Sequence, residues 1–268
     1  MAPTTILISG ANRGLGKALL EHYLARPEHI VIAANRDPEH GTSKDLADLP
    51  KGSDSCLILV KIDATSHSDA PETVNELKKQ GVQHLDLVIA SAGVGYAFAK
   101  VSDVKITDMK AHIEPNVYGM SQMGHIRLER SIYRVSGFLL KPVTDVESVN
   151  MDSSFVSFFF LTLLPSSTYQ PSRNPPPVPN AAYAPSKAAA HWLTKRMNME
   201  EDKLTAFVVH PGWVQTDMGD TSARLLGFEH APVKLEESIH GVLKLLDSAS
   251  KESHGGKMWT WEGKQAAW

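Results

Sequence analysis

The chain has little cysteine and no long apolar run. Of its 268 residues only Cys56 is a cysteine, so no internal disulfide can form and a reducing, cytoplasmic setting is expected. Cys56 stands in the apolar stretch CLILVKID, which predicts a small buried core residue. The most apolar run, FVSFFFLTLL at 155–164, is far shorter than the roughly 20 residues of a membrane-spanning helix. Since this run is too short, we expect no membrane span. The first residues, MAPTTILISG, have no basic region and no long apolar region, so no signal peptide is expected.

The chain also lacks an excess of charge of one sign. Its 27 Lys and Arg against 30 Asp and Glu give a net charge of −3, and no basic cluster interrupts the sequence. This balance argues against nucleic acid as the main partner. The histidines show no metal-ligand spacing, so no metal is expected.

Short apolar stretches typical of strands alternate with amphipathic stretches typical of helices. The strand-like stretches are TTILISG, HIVIAAN, CLILVKID, LDLVIASAG and LTAFVVHPG, and the helix-like ones are KALLEHYLA, APETVNELKKQG and KLEESIHGVLKLLDSA. This alternation predicts an α/β fold: a single doubly wound Rossmann-type domain over 1–268, a parallel sheet with helices on both faces. Ligands of such sheets bind beyond the carboxyl ends of the strands. The segment at about 117–165 has no clear period and is predicted to be irregular.

A glycine-rich turn, SGANRGLG, follows the first strand and precedes the first helix. Its glycines are Gly10, Gly14 and Gly16. A tight turn before a helix N-terminus presents free N–H groups that receive a pyrophosphate, which favours a dinucleotide site. The spacing differs from G-x-G-x-x-G, and an ordinary strand-to-helix turn is the alternative.

The end of the second strand, AANRDP, bears on which dinucleotide binds. Asn35 and Arg36 stand where an NAD site usually has an acidic residue, and Arg13 lies within the glycine turn. Guanidinium groups suit a 2′-phosphate, so the sequence favours NADP(H). Asp37 keeps NAD(H) open, and either arginine could be a solvated surface charge.

Tyr183 and Lys187 stand four residues apart in YAPSK, so both point to one side of a helix. A nearby ammonium lowers a phenol pKa from about 10, which predicts a tyrosine that can exchange a proton with a carbonyl or alcohol oxygen. The alternative is a plain surface pair on a helix.

Taken together, SGANRGLG, YAPSK and HPGWVQTDM resemble the motifs of the short-chain dehydrogenase/reductase family in order and spacing, over residues 5 to about 116 and from about 166 to the end. NAAYAPSKAAAHWLTK and HPGWVQTDMG are similar to the fungal ketoreductases of the norsolorinic acid ketoreductase type. The resemblance implies an NADPH-dependent ketoreductase of secondary (polyketide) metabolism, acting on an apolar or aromatic ketone. Homo-oligomers are usual in the family.

The resemblance also implies residue roles. Catalysis would involve Tyr183, Lys187, Asn116 and Ser167, the last in competition with Ser166 and Ser172 as the serine that binds the substrate carbonyl. Cofactor contacts would come from Gly10, Asn12, Arg13, Gly14, Leu15, Gly16, Asn35, Arg36, Asp63, Ala64, Ser91, Ala92, Gly93, Tyr183, Lys187, Pro211, Gly212, Val214 and Thr216. Asp63 would bind the adenine amino group, and Ser91 replaces the family's asparagine.

Two segments complete these expectations. Residues 217–234 are expected to form a substrate lid, with an apolar lining or plain core packing from Trp213, Met218, Leu225, Leu226 and Phe228.

The second segment, 117–165, is longer than the family spacing. It is either an insertion or a gene-model error, since YGMS and SFFFLTLL can be encoded by intron-like ends. It obscures the helix of the family's usual dimer contact. Together with Ser91 and Pro115, it favours the alternative of a cofactor-binding but catalytically impaired protein.

Overall fold

The structure is a computed structural model that describes residues 3–124, 126, 158–163 and 179–267. In this part of the chain eight strands form one sheet in the order β3-β2-β1-β4-β5-β6-β7-β8, parallel throughout except for the antiparallel β7–β8 pair. The strands are β1 Thr4–Ser9, β2 His29–Asn35, β3 Cys56–Lys61, β4 Leu87–Ala90, β5 Phe158–Leu163, β6 Leu204–His210, β7 Met258–Thr260 and β8 Gln265–Ala266.

Helices lie between the strands. They are α1 Gly14–Leu24, α2 Gly41–Lys44, α3 Asp69–Lys79, α4 Ile106–Ile113, α5 Met120–Met123, α6 Tyr183–Glu200, α7 Asp217–Leu225, α8 Leu235–Ser248 and α9 Lys251–His254, with a 3₁₀ turn at Asp45–Asp48 and a π-helix at Glu114–Gly119. None of the helices in the described ranges is long and apolar enough to cross a membrane.

The sheet is covered on both faces, as the alternation of strands and helices predicts. In β1, Ile6 and Ile8 join one apolar cluster with residues of α1 and α8, while Leu7 joins a second cluster with residues of α3, α5 and α6. Successive side chains of a strand point to opposite faces, so a strand buried on both sides is apolar at nearly every position. The predicted doubly wound fold is confirmed.

The strand order reverses between β1 and β4, where the chain crosses from one half of the sheet to the other. At such a point the loops after the two strands diverge to opposite faces and leave a crevice at their carboxyl ends. The glycine turn follows β1, and the segment SAG follows β4. The fold therefore places both motifs at one crevice.

Two sequence expectations are modified by the structure. Cys56 is exposed, so the prediction of a buried residue was wrong. It begins β3, which is an edge strand, and the apolar run does not bury its first position. Within 117–165, residues 117–123 are helical and β5 occupies 158–163, in register between β4 and β6. Most of the rest of that segment lies outside the described residues.

Candidate active site

The glycine turn is packed too closely for a side chain at Gly10 or Gly16. Gly10 and Gly14 have φ of +64° and +54°, in the left-handed region that glycine adopts without strain. A Cβ on Gly16 would lie 2.3 Å from the carbonyl oxygen of Gly10, and one on Gly10 would lie 2.9 Å from Cα of Ala92. The turn therefore sits directly against the end of β4 and leaves the N-terminus of α1 accessible at the crevice.

Asn35 supports this turn from within the protein. It is buried, its Oδ1 accepts the N–H of Ala11 at 2.9 Å, and its Nδ2 donates to Ser43 Oγ at 3.3 Å. Asn12 donates from Nδ2 to Thr42 Oγ1 at 2.8 Å. Asn35 and Asn12, both predicted to contact the cofactor, thus connect the glycine turn to α2. In this structure their side chains stabilise the shape of the turn.

Arg13 and Arg36 are placed differently. Both are exposed, Arg13 just before α1 and Arg36 just after β2, and neither forms an ion pair or side-chain hydrogen bond within the described ranges. Asp37 is also exposed, and its Oδ1 accepts the N–H of Glu39 at 2.9 Å. The two guanidinium groups are therefore available to an anion, whereas one oxygen of Asp37 is used within its own turn. Leu15 packs on the core cluster of α1.

Asp63 lies beyond the end of β3 with one carboxylate oxygen already used. Its Oδ1 accepts the N–H and the hydroxyl of Thr65, at 2.9 and 2.8 Å, and its own N–H donates to Asp69 Oδ2 at 2.8 Å. The second oxygen has no partner in the described part of the chain and can accept from an amino group. Ala64 packs under Gly119, where a Cβ would lie 2.4 Å from that of Ala64.

The end of β4 joins the glycine turn to the Tyr–Lys helix. Ser91 Oγ is 3.2 Å from the position of a Cβ on Gly16. A Cβ on Gly93 would lie 3.0 Å from both Asn116 Oδ1 and Lys187 Nζ. The glycine turn and the Tyr–Lys helix are far apart in the sequence, but both lie against the loop after β4, the first at Ser91 and the second at Gly93.

The loop after β6 reaches the same place from the other side. Thr216 caps α7 through its Oγ1, which accepts the N–H of Gly219 at 3.1 Å. Its Cγ2 lies 3.6 Å from the position of a Cβ on Gly14. The loop that follows the late PG motif therefore lies beside the glycine turn at the crevice.

Three contacts fix the path of this loop after β6. Gly212 has φ of +90°, and Pro211 accepts a hydrogen bond from Ser238 Oγ at 2.6 Å through its carbonyl. Val214 pairs with Val233 in an isolated parallel bridge. His210 is buried at the end of β6 and accepts the N–H of Gly212 through Nδ1 at 3.0 Å.

Tyr183 and Lys187 occupy the first turns of α6, facing the crevice. They are 3% and 6% exposed, and Lys187 Nζ lies 5.6 Å from the centroid of the Tyr183 ring. The hydroxyl of Tyr183 is buried and has no hydrogen-bond partner among the described residues. An unpaired buried hydroxyl that faces a crevice is suited to a ligand oxygen.

The pKa values differ from the sequence prediction. Burial raises the pKa of Tyr183 above its usual value of 10.0, whereas the Tyr–Lys spacing had predicted a lowered pKa. That prediction was wrong for this structure, because burial removes the phenol from water and disfavours the charged phenolate. Burial likewise lowers the pKa of Lys187 to about 8.

Asn116 lies in the π-helix, directly after a proline. Pro115 has no N–H to donate, and the helix widens over Glu114–Gly119, in agreement with the expected loss of a helical hydrogen bond. Asn116 Nδ2 donates to the carbonyl of Val94 at 2.9 Å and to Ser186 Oγ at 2.9 Å, while its Oδ1 accepts the N–H of Val94 at 2.8 Å. Ser186 in turn donates to the carbonyl of Tyr183 at 2.7 Å. Asn116 therefore connects the β4 loop to the start of α6.

Comparison with known proteins agrees with this geometry. The pattern of the short chain dehydrogenase family matches residues 4–137. Norsolorinic acid ketoreductase of Dothistroma septosporum is 33% identical over 267 residues, covering 99% of this chain and 92% of the relative. The chain belongs to the short-chain dehydrogenase family of oxidoreductases.

Other relatives of this short-chain dehydrogenase extend the comparison. Norsolorinic acid ketoreductase of Aspergillus parasiticus is 32% identical and covers 94% of this chain and 86% of the relative. The fold matches that of an NADPH-bound carbonyl reductase from chicken fatty liver with a TM-score of 0.76 at 24% identity, covering 100% of this chain and 95% of that one.

Six residues that the sequence predicts for the substrate side of the dehydrogenase are not found at the tyrosine in the described part of the chain: three lie outside the described residues, and three are exposed. Ser167 and its competitors Ser166 and Ser172 lie outside the described residues. Of the predicted apolar lining, Leu225, Leu226 and Phe228 are exposed on and after α7.

The remaining lining residues are nearer the crevice. Met218 Sδ lies 3.3 Å from the position of a Cβ on Gly95, which itself contacts the Tyr183 ring. Trp213 donates from Nε1 to Gly219 O at 3.1 Å and to Ser222 Oγ at 2.9 Å. Met218 therefore lies beside Gly95 and the tyrosine ring, and Trp213 holds the start of α7 through its two hydrogen bonds.

Sequence reasoning missed two polar neighbours of Tyr183. Ser186 is fully buried. It lies between the tyrosine and the lysine in YAPSK, and this position in the sequence could have indicated that it belongs to the site. His112 is fully buried too, with its ring centroid 6.3 Å from that of Tyr183. It lies one helical turn before Asn116, and this spacing alone does not indicate that the histidine lies beside the tyrosine.

Proposed function

We propose that this chain is an NADPH-dependent ketoreductase in which Tyr183 gives the proton to the carbonyl oxygen. The observation that carries the proposal is the buried hydroxyl of Tyr183, which has no partner in the described structure and faces the crevice beside Lys187 and Asn116. A preference for a ketone of polyketide type is supported by the similarity to norsolorinic acid ketoreductases.

The residues present fit a nicotinamide dinucleotide. The glycine turn leaves no room for a Cβ at Gly10 or Gly16, so backbone N–H groups at the start of α1 are open to a pyrophosphate. The unused carboxylate oxygen of Asp63 suits the adenine amino group. The free guanidinium groups of Arg13 and Arg36 suit a 2′-phosphate and favour NADP(H) over NAD(H).

When bound there, NADPH would supply the hydride for the carbonyl carbon of the substrate. Tyr183 would donate its proton to the oxygen as negative charge develops on it. The phenol of Tyr183 is protonated at neutral pH, since its ordinary pKa is about 10 and burial raises the pKa further, which makes the phenol a weaker acid. The charged form of Lys187 would stabilise the phenolate that remains, and Asn116 would hold the loop and helix that carry both groups.

Tyr183→Phe tests the assignment. The variant should bind NADPH with unchanged affinity, measured by nucleotide fluorescence, and should lose about 10²- to 10⁴-fold in kcat on any ketone that the wild type reduces. Tyr118→Phe is the control, because Tyr118 is 52% exposed on the π-helix. Full activity of Tyr183→Phe would refute the proton-donor role. NADPH binding by the wild type without oxidation by a broad ketone panel would support the catalytically impaired alternative.

A further inference from the structure

A fully buried histidine stands behind the catalytic tyrosine. His112 lies near the C-terminus of α4, and both of its ring nitrogens form hydrogen bonds. Nδ1–H donates to the carbonyl of Asp108 at 2.7 Å, and Nε2 accepts the backbone N–H of Tyr96 at 3.3 Å. This pair of contacts requires the neutral ring with its proton on Nδ1.

The partner of His112 belongs to the segment that covers the tyrosine. A Cβ on Gly95 would lie 3.0 Å from Cε2 of Tyr183, so the backbone of this segment rests on the phenol ring. The ring of Phe98 lies 6.5 Å from that of Tyr183, centroid to centroid. The imidazole of His112 meets the phenol ring edge-on, at an interplanar angle of 77°, and is 4.5 Å from the ring of Tyr96.

The covering segment, residues 94–99, has no regular secondary structure. Its described hydrogen bonds fasten it at three points: Val94 to Asn116, Tyr96 to His112, and the carbonyl of Ala99 to the N–H of Ala181. Asn116 and Ala181 hold its ends. The histidine therefore provides the fastening at the point where the segment crosses the phenol.

We propose that His112 is a positioning residue, which holds the 94–99 segment against Tyr183 and thereby fixes the place from which the phenol meets the substrate oxygen. The kinetic part of this inference rests on the proposed function. Since small displacements of a reacting group cost much of the rate, loss of the Tyr96 fastening should lower turnover with little effect on cofactor binding.

The test uses the full chain with two substitutions of His112, one that keeps a hydrogen-bond acceptor for the Tyr96 N–H and one that removes it. His112→Gln can place an amide oxygen near the position of Nε2 and keep the acceptor for Tyr96, whereas His112→Leu fills similar space without an acceptor. His240→Leu is the control, because His240 is exposed on α8 at the opposite face of the sheet. Each variant is assayed for kcat and KM with a ketone, for NADPH affinity, and for hydrogen exchange of the 94–99 amides.

We expect His112→Leu to lower kcat by about 10- to 100-fold, with NADPH affinity unchanged. The Tyr96 amide should exchange about 10-fold faster, and His112→Gln should restore most of both properties. Wild-type kcat in His112→Leu, or equal losses in the Leu and Gln variants, would overturn the inference. If the wild type reduces no ketone, the proposed function fails by itself. The inference is then decided by exchange alone, and an unchanged Tyr96 amide in His112→Leu overturns it.

Discussion

The side chain of Asn116 and the backbone of Val94 exchange two hydrogen bonds, of 2.8 and 2.9 Å, across 22 residues of sequence. Asn116 is buried and Val94 is half-buried. The second N–H of the Asn116 amide donates to Ser186 Oγ. One side chain thus fixes the β4 loop and α6 relative to each other, and with them Gly93 and Lys187.

Asn116→Ala should therefore weaken both the fold and the site. The N–H and C=O of Val94 would lose their partners, and each unsatisfied buried group costs about 1–3 kcal/mol. We expect the free energy of unfolding to fall by about 2–4 kcal/mol in urea titrations and kcat to fall as well. Asn75→Ala, at an exposed position of α3, is the matched control. A loss no larger than that of the control would show that the Val94 pairing contributes little.

Gly16→Ala should destabilise the glycine turn, since its Cβ would lie 2.3 Å from the backbone oxygen of Gly10. Overpacking against backbone costs about 1–3 kcal/mol, so the melting temperature should fall and NADPH binding should weaken. Gly41→Ala is the comparison, because a Cβ there has nothing within 4 Å and φ is not positive. That variant should be neutral or stabilised by about 0.4–1 kcal/mol. Equal melting temperatures for the two variants would contradict the close packing.

The buried Lys187 should make stability depend on pH. Its pKa is about 8 in the folded chain against 10.5 as the ordinary value. Between these pH values the unfolded chain holds a proton that the folded chain has released, so unfolding takes up a proton and raising the pH favours the folded state. Relative to Lys187→Met, the wild type should gain about 2–3 kcal/mol of unfolding free energy between pH 7 and pH 11.

The comparison of wild type and Lys187→Met is made by urea denaturation at several pH values. Lys244→Met, at an exposed position of α8, serves as the control for a lost surface charge. A wild-type minus Lys187→Met difference that stays constant across this range would mean that Lys187 is not desolvated in the folded protein.

Arg13 and Arg36 should discriminate between the two nicotinamide dinucleotides. Charge-assisted hydrogen bonds to a phosphate contribute about 1.5–3 kcal/mol, so replacing either residue by alanine should weaken NADPH binding by about 10- to 100-fold. NADH affinity should stay within about twofold, because NADH has no 2′-phosphate for the guanidinium to bind. Arg196→Ala removes an arginine that pairs with Glu200 on α6 and is the control. Parallel losses for both nucleotides would count against a 2′-phosphate site.

Much of the fold follows from local patterns. HIVIAAN is β2 at the predicted residues, and the KLEESIHGVLKLLDSA stripe became α8, because burial on one or two faces imposes a period that the sequence itself displays. The conformation of the glycine turn is equally local, since Gly10 and Gly14 have positive φ and Gly16 packs on the carbonyl of Gly10 within one loop. The close approach of Gly10 to Ala92, in contrast, depends on the fold. Cys56 shows the limit: its neighbours are apolar, but β3 is an edge strand, and the sequence does not state which strand is at the edge.

The sequence by itself determined the class of protein: a parallel sheet with a phosphate-type turn after β1 and a Tyr–Lys pair on a helix. Only the tertiary structure decided how these parts act on one another. It turned Asn35 inward, set Ser186 and His112 around Tyr183, and raised the pKa of Tyr183. The reason is physical: periodicity and turn geometry depend on neighbours in the chain, whereas burial and hydrogen bonding depend on residues that only folding brings together.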